Sequence, residues 1–277
     1  MTPQASEGPL PRFSADTAVT AVGPSVFEGD IRARWWVGRG PNGGYLGAIV
    51  LRALRAALAD PGRAPRSLTV HFLAVPEAGP VRIECSTERA GRSLSTLSAR
   101  MIQGDTLIAL ALAAFSAPWP GLAYADAPMP DVAPPEQLAR VEGGGAVPAF
   151  VQNFDMRWAI GPAPFSGADR SLAGGWLRLA EPEPVDAVAA TAYMDAWIPA
   201  VFARTDGPVG APTIDFTVHF RADLPRGGAA VDEFHLVRFS SSTAADGFWE
   251  EDGQLWSADG ALLAQSRQLA LVLPPRG

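Results

Sequence analysis

Asp195 lies in Ala192-Tyr-Met-Asp-Ala-Trp-Ile198, an apolar stretch of helical composition. A carboxylate there is costly unless it is paired, so it either falls on an exposed stripe or is held for a purpose. Pro199 should kink or break the helix just after it. Thr213 opens an alternating run to Arg221 in which Ile214, Phe216, Val218 and Phe220 share one face. Thr213, Asp215, Thr217, His219 and Arg221 share the other, which from Asp215 to Arg221 reads as an ordinary solvated face. Gln268 sits among Leu262, Leu263, Leu269 and Leu271, where an amide is either satisfied in the core or functional.

A glycine cluster is the other candidate. Gly38-x-Gly40-x-x-Gly43 matches the dinucleotide fingerprint by its letters. Its context argues against that reading: an antiparallel meander follows, and Asp60 ends a helix instead of a second strand. The glycines either make a tight turn with close packing, or they let the amides of Gly43, Gly44 and Tyr45 meet negative charge at a helix N-terminus. His71, His219 and His235 all fall in strand-like runs, and no Gly-x-Ser-x-Gly elbow is present. Cys85 is the single cysteine, so neither an internal disulfide nor a Cys/His metal site is expected.

An internal repeat predicts the elements that position these residues. Thr69-Val70-His71-Phe72 recurs as Thr217-Val218-His219-Phe220, an offset of 148. An Ala-rich apolar segment of helical length precedes each copy, Gly43 to Ala59 and Asp186 to Arg204. Strand-like runs follow each: Pro80 to Arg89, Ser93 to Gln103 and Thr106 to Ala117, then Ala230 to Thr243, Gly247 to Ala258 and Ala261 to Leu273. Gly104-Asp105 and Asp259-Gly260 are hairpin signals joining the last two runs of each set. Strand candidates before the helices are Ile31 to Val37, and Phe154 to Ile160 with Gly175 to Leu179. Tyr45, Leu46, Ile49, Val50, Leu51 and Leu54 make the first helix apolar over most of its circumference, hence buried. The result is an α+β chain with two helices, each wrapped by an antiparallel sheet. Its expected units are 1–117 and 148–277, joined by a Pro/Gly-rich linker, 118–147, that holds Gly143-Gly144-Gly145.

At the 148 offset, Asp195 and Thr213 fall on Gly47 and Pro65, and matching the last strands pairs Gln268 with Ala113. One polar constellation of this kind is therefore expected, not two.

Composition sets the remaining bounds. The chain has 277 residues, 48% hydrophobic and 18% charged, which is ample material for a core. Its net charge of −7 argues against nucleic acid as a partner. All 22 basic residues are arginine. The longest apolar stretch, Leu107 to Phe115, is far short of a membrane span, and Met1 to Ser25 lacks an apolar signal core. A cytoplasmic protein with no membrane partner is expected.

Taken together, the chain resembles the double-hotdog acyl-CoA thioesterases of the bacterial thioesterase II type, from about Phe27 to Leu273. The likeness rests on Arg39-Gly-Pro-Asn-Gly-Gly-Tyr45, Tyr193-Met-Asp195, Pro212-Thr-Ile-Asp-Phe216 and Asp259-Gly-Ala-Leu-Leu-Ala-Gln-Ser-Arg-Gln268, in that order and spacing. The resemblance implies a tandem hotdog fold in which two long buried helices form a pseudo-dimer within one chain. It implies that Asp195, Thr213 and Gln268 hold the water that attacks an acyl-CoA thioester, with no cofactor and no metal. Gly43, Gly44 and Tyr45 would supply oxyanion or substrate contacts, and arginines at the mouth would meet the coenzyme A phosphates. Assembly of several double hotdogs into a homo-oligomer is left open.

Two other functions fit the same fold. A catalytically weak acyl-CoA or acyl-carrier binding protein would bind ligand without hydrolysis. A hotdog dehydratase or hydratase would need an acid/base histidine, and none of the three histidines is adjacent to Asp195 in sequence.

Overall fold

A computed structural model describes residues 10–142 and 148–273. The first nine residues of the expected N-terminal unit and the glycine run 143–145 lie outside the described residues.

The first half runs β1 (Val26–Ile31), α1 (Gly43–Leu58), β2 (Ala64–Phe72), β3 (Gly79–Ala90), β4 (Leu94–Gln103) and β5 (Thr106–Ser116). The second runs β6 (Phe154–Ile160), β7 (Ser171–Leu179), α2 (Ala187–Tyr193), β8 (Thr213–Phe220), β9 (His235–Ser241), β10 (Phe248–Trp256) and β11 (Leu262–Leu271). All these strands join one antiparallel sheet, in the order β1-β3-β4-β5-β2-β8-β11-β10-β9-β7-β6, with Thr20–Gly23 beyond β1. The strand after each helix stands at the centre, and the strand before it stands toward the edge. This is the topology of two hotdogs fused through one sheet.

The repeated tetrapeptide forms the seam. Thr69 pairs with Thr217, Val70 with Phe216 and Leu68 with Val218. The two threonine hydroxyls meet at 3.0 Å, so identical residues of the two copies face each other across the pseudo-dyad. One hydrophobic core runs through both halves, including α1 residues Ile49, Leu51 and Leu54 and α2 residues Val188, Ala190 and Ala192.

α1 forms where expected. Asn42 caps it, its Oδ1 accepting from the Tyr45 amide at 2.9 Å, and Ala59 closes it in the left-handed region at φ 49°. The second helix departs from the expected long helix. α2 is capped by Asp186, which accepts from the amides of Val188 and Ala189, but it ends at Tyr193. The chain then turns and resumes as a 3-10 helix, Ala200–Arg204, after Pro199. Proline can neither donate to a preceding turn nor tolerate a helical residue before it, so segment 186–204 breaks into two short pieces.

The predicted strand Ile31 to Val37 also breaks. β1 ends at Ile31, a 3-10 turn covers Ala33–Trp35, and Trp36–Val37 pairs only with Gly40–Pro41. The turn inserts Trp35 into the core, where it stacks on Tyr45 at 4.8 Å and its Nε1 donates to Asp16.

The segment between the halves is more than a tether. Trp256 Nε1 donates to the Ala127 carbonyl and Trp176 Nε1 to that of Ala133, at 3.0 and 2.9 Å. Met129, Val132 and Leu138 close a small second core against Ile160, Trp176, Leu236 and Trp256.

Candidate functional site

α1 and α2 pack against each other because α1 carries glycines where they meet. A Cβ on Gly44 would stand 2.8 Å from Asp195 Cβ and 3.0 Å from the Thr191 carbonyl oxygen. One on Gly47 would stand 3.1 Å from Thr191 Cγ2. This approach brings the end of α2 onto the N-terminus of α1.

Asp195 is therefore in the turn that ends α2, not inside a helix as the sequence suggested. Its amide donates to the Ala192 carbonyl, and its own carbonyl accepts from Asn42 Nδ2 at 2.6 Å. Its Oδ2 accepts from the Gly44 amide at 2.8 Å and from Asn42 Nδ2 at 2.9 Å. A carboxylate from the second half thus seats on the helix N-terminus of the first, where free amides and the dipole favour negative charge. Burial pushes its pKa up to about 6; the Gly44 amide, the Gln268 side chain, the Gly43 amide and Asn42 pull against that rise.

The glycine cluster takes a different role from the one expected. The amides of Gly44 and Tyr45, anticipated as oxyanion donors, are already engaged by Asp195 and Asn42. The Gly43 amide also acts on Asp195, and a Cβ on Gly43 would stand 3.1 Å from Asp195 Oδ2. Tyr45 is wholly buried, its hydroxyl accepting from the Arg32 amide and lying within hydrogen-bond reach of the Asp16 and Asp30 carbonyls. These residues hold the carboxylate and the core instead of an oxyanion.

Thr213 also departs from simple alternation. A bulge between Thr213 and Asp215 places Thr213 opposite Ala270 while Asp215 faces Leu269. The extra residue turns Thr213 to the inner face, which Phe216 and Gln268 share. There its Oγ1 donates to Gln268 Oε1 at 2.9 Å. Gln268, 5% exposed, donates from Nε2 to Glu251 Oε1 at 2.9 Å. Asp195, Thr213 and Gln268 are brought together, at the junction of the halves.

Two residues of this cluster escape the sequence reading. Asn42 stood inside the motif that opens α1, but only as a neighbour of the glycines. Glu251 lies in Glu250-Glu251-Asp252, a charge run that resembles solvated strand. Its period-two parity with Trp249 and Leu255, both buried, was the available signal. Glu251 is 3% exposed, and burial first, then the nearby Asp195, pushes its pKa up, while the Ala200 amide and the Gln268 side chain pull it down.

The equivalent place in the other half carries no such set. A matching bulge falls between Pro65 and Ser67, and Leu68–Ala113 takes the place of Phe216–Gln268. Counting from the caps Asn42 and Asp186, the counterpart of Asp195 is Leu51, not Gly47, because the helix-to-strand connection is four residues longer in the second half. Asp186 there pairs with Arg55 at 3.0 Å, beside a groove of about 800 Å³ that Arg52, Pro65 and Leu224 also line.

His71 and His219 are exposed near the seam, and His235 packs edge-on against Tyr193. None of the three hydrogen-bonds Asp195, Thr213 or Gln268. Among the described residues there is no cluster of three metal-ligating side chains and no helix long and apolar enough to cross a membrane.

Comparison with known proteins gives a consistent picture. Residues 31–116 match the family described as acyl-CoA thioesterase N-terminal domain, and residues 126–272 match its C-terminal domain. The chain is 26% identical to acyl-CoA thioesterase 2 of Haemophilus influenzae, over 82% of this chain and 86% of that one. It is 27% identical to an uncharacterized protein of Mycobacterium tuberculosis, over 89% and 91%. Among solved structures, a hot dog protein of unknown function from Alicyclobacillus acidocaldarius superposes with a TM-score of 0.85 at 29% identity, over 95% and 98% of the chains. An acyl-CoA thioesterase II from Mycobacterium marinum shares the fold, with a TM-score of 0.77 at 22% identity over 96% and 100%.

Proposed function

The chain belongs to the acyl-CoA thioesterase family, and within hydrolysis of acyl-CoA thioesters we propose that Asp195 is the general base, with Thr213 and Gln268 positioning its water. The observation that carries this reading is the seating of Asp195 Oδ2 on the Gly44 amide and Asn42. That grip fixes the carboxylate, leaves Oδ1 to take a proton, and accompanies a pKa of about 6. A base poised there is ionised at neutral pH and still basic enough to accept a proton in the transition state.

Asp195 takes one proton of the water as the water oxygen bonds to the thioester carbonyl carbon. The tetrahedral intermediate collapses with cleavage of the carbon–sulfur bond. The departing sulfur recovers the proton from Asp195, giving the coenzyme A thiol and the carboxylic acid. Thr213 and Gln268 supply the hydroxyl and amide that orient the water beside the base.

The two matched segments and the β2–β8 seam support reading the chain as two hotdog units, 1–117 and 148–277, joined through 118–147. In that reading the active site is composite, since Asn42 and Gly44 come from one unit and Asp195, Thr213 and Gln268 from the other.

The test is Asp195→Asn, assayed over acyl-CoAs from acetyl- to palmitoyl-CoA. Hydrolysis should collapse while binding of the same acyl-CoA, followed calorimetrically, persists. Undiminished turnover would remove Asp195 from the chemistry.

A further inference from the structure

We propose that Glu251 is a positioning residue that selects which end of the Gln268 amide faces Asp195. The inference rests on the water-activation reading above and adds the group that makes it work in one orientation.

The two ends of a glutamine amide are nearly equal in shape, so only hydrogen-bond partners distinguish them. Gln268 Oε1 accepts from Thr213 and Nε2 donates to Glu251. Thr213 does not impose this choice, because a hydroxyl can donate to the carbonyl end or accept from the amino end. Glu251 does impose it. Its Oε2 accepts from the Ala200 amide at 2.6 Å, a main-chain donor with no alternative role. Its Oε1 then presents an acceptor to Gln268, at a site 3% exposed where a mismatched pair finds no water to relieve it.

The amino end of Gln268 is the end that matters. Glu251 engages one of its two N–H groups, and the other remains for the site, where the Gln268 amide lowers the pKa of Asp195. Inverted, the amide would turn its carbonyl toward the carboxylate and remove that donor. A carboxyl at 251 is thereby distinguished from an amide of the same size. It offers acceptors to both neighbouring donors, whereas an amide offers one acceptor and one donor. N–H donors on both of its oxygens, at 2.6 and 2.9 Å, hold it as an acceptor-only carboxylate.

Glu251→Gln tests the assignment in the full chain, with Asp195→Asn alongside. In the variant the new carbonyl stays with Ala200, the new amino end meets Gln268, and the Gln268 amide inverts. We expect kcat to fall by about tenfold or more, in line with loss of one aligned donor at a reacting site, with KM within about twofold. The acid limb of the kcat/KM profile should move to higher pH, because Asp195 loses a donor. The groups facing Asp195 are the Asn42 cap and the Gly43 and Gly44 amides of α1, Gln268 of β11, which Thr213 of β8 holds, and on β10 the ionisable Glu251 with Glu250 beside it. Removing the Glu251 charge would by itself move the limb to lower pH, so an upward movement reports the inverted amide. Unchanged kcat and an unmoved limb, beside an inactive Asp195→Asn, would overturn the orientation role and leave water activation standing. A fall in activity that only tracks loss of folded protein, with the limb unmoved, would reduce Glu251 to a structural residue and equally overturn it. Full activity of Asp195→Asn would overturn both.

Discussion

Asp195→Asn should make the protein more stable at neutral pH even as it abolishes hydrolysis. Burial raises the Asp195 pKa from 3.8 to about 6, so the folded state holds the proton more tightly than the unfolded chain. Between those values the folded form binds more protons, and stability falls as pH rises. About two pH units correspond to about 3 kcal/mol by pH 7, a ceiling because part of the residue meets solvent. Asparagine keeps a carbonyl acceptor for the Gly44 amide and Asn42 but carries no charge to desolvate. The expected gain is about 1–3 kcal/mol, or about 2–5 °C in Tm for a chain of this length. Thermal unfolding of both proteins from pH 4 to pH 8 measures it. The difference should be smallest near pH 4, where Asp195 is protonated in the folded state, should open between pH 4 and pH 6, and should level off above that. A variant less stable at pH 7, or a difference independent of pH, would refute the claim that desolvation dominates at Asp195.

Two further outcomes follow from the same geometry. Wild-type kcat/KM should lose about fivefold between pH 6 and pH 5 as Asp195 takes its proton, and in Asn42→Asp that limb should move up by more than about one unit, because a donor is replaced by a like charge while the cap to Tyr45 survives; a limb that stays in place would show that Asn42 does not act on the base. Gly44→Ala should cost about 1–3 kcal/mol of stability and most of the activity, because its Cβ meets Asp195 Cβ and two α2 carbonyl oxygens, whereas Gly121→Ala, with open space around it, should melt like the wild type.

Much of the fold was legible because it rests on local signals. The period-two runs fixed β3, β4, β5 and β9 to β11 within a few residues, and the Thr-Val-His-Phe repeat located the seam between the halves. The second helix was misjudged because alanine-rich composition favours a helix all along 186–204. Pro199 has no N–H to give the Asp195 carbonyl four residues before it, and that carbonyl accepts instead from Asn42 Nδ2 of the other half at 2.6 Å, a partner that composition does not show. The same reason hid the destination of the Gly43 and Gly44 amides, since nothing near them in sequence shows that a carboxylate more than 150 residues away will occupy them. Thr213 was read on the wrong face because alternation assumes an unbroken register, and the bulge at Asp215 breaks it.

That bulge bears on how one site arose from two similar halves. Both halves keep it, at Pro65–Ser67 and at Thr213–Asp215, so the backbone that could present an inward hydroxyl exists twice. What differs is side-chain chemistry and helix length. The first half has a long α1 whose Leu51 occupies the place of Asp195 and is fully buried, and it has Pro65 and Ala113 where the second half has Thr213 and Gln268. The second has a short α2 that stops where its carboxylate can reach the opposite helix N-terminus. The asymmetry is self-consistent: Asp195 reaches Gly44 from the turn that ends α2, whereas a first-half carboxylate at Leu51 would sit inside an unbroken helix within the core. One half therefore supplies the helix N-terminus and the other supplies the carboxylate that seats on it. Neither half alone holds the complete set, because the Asn-Gly-Gly opening of α1 comes from one and the Asp195 turn from the other.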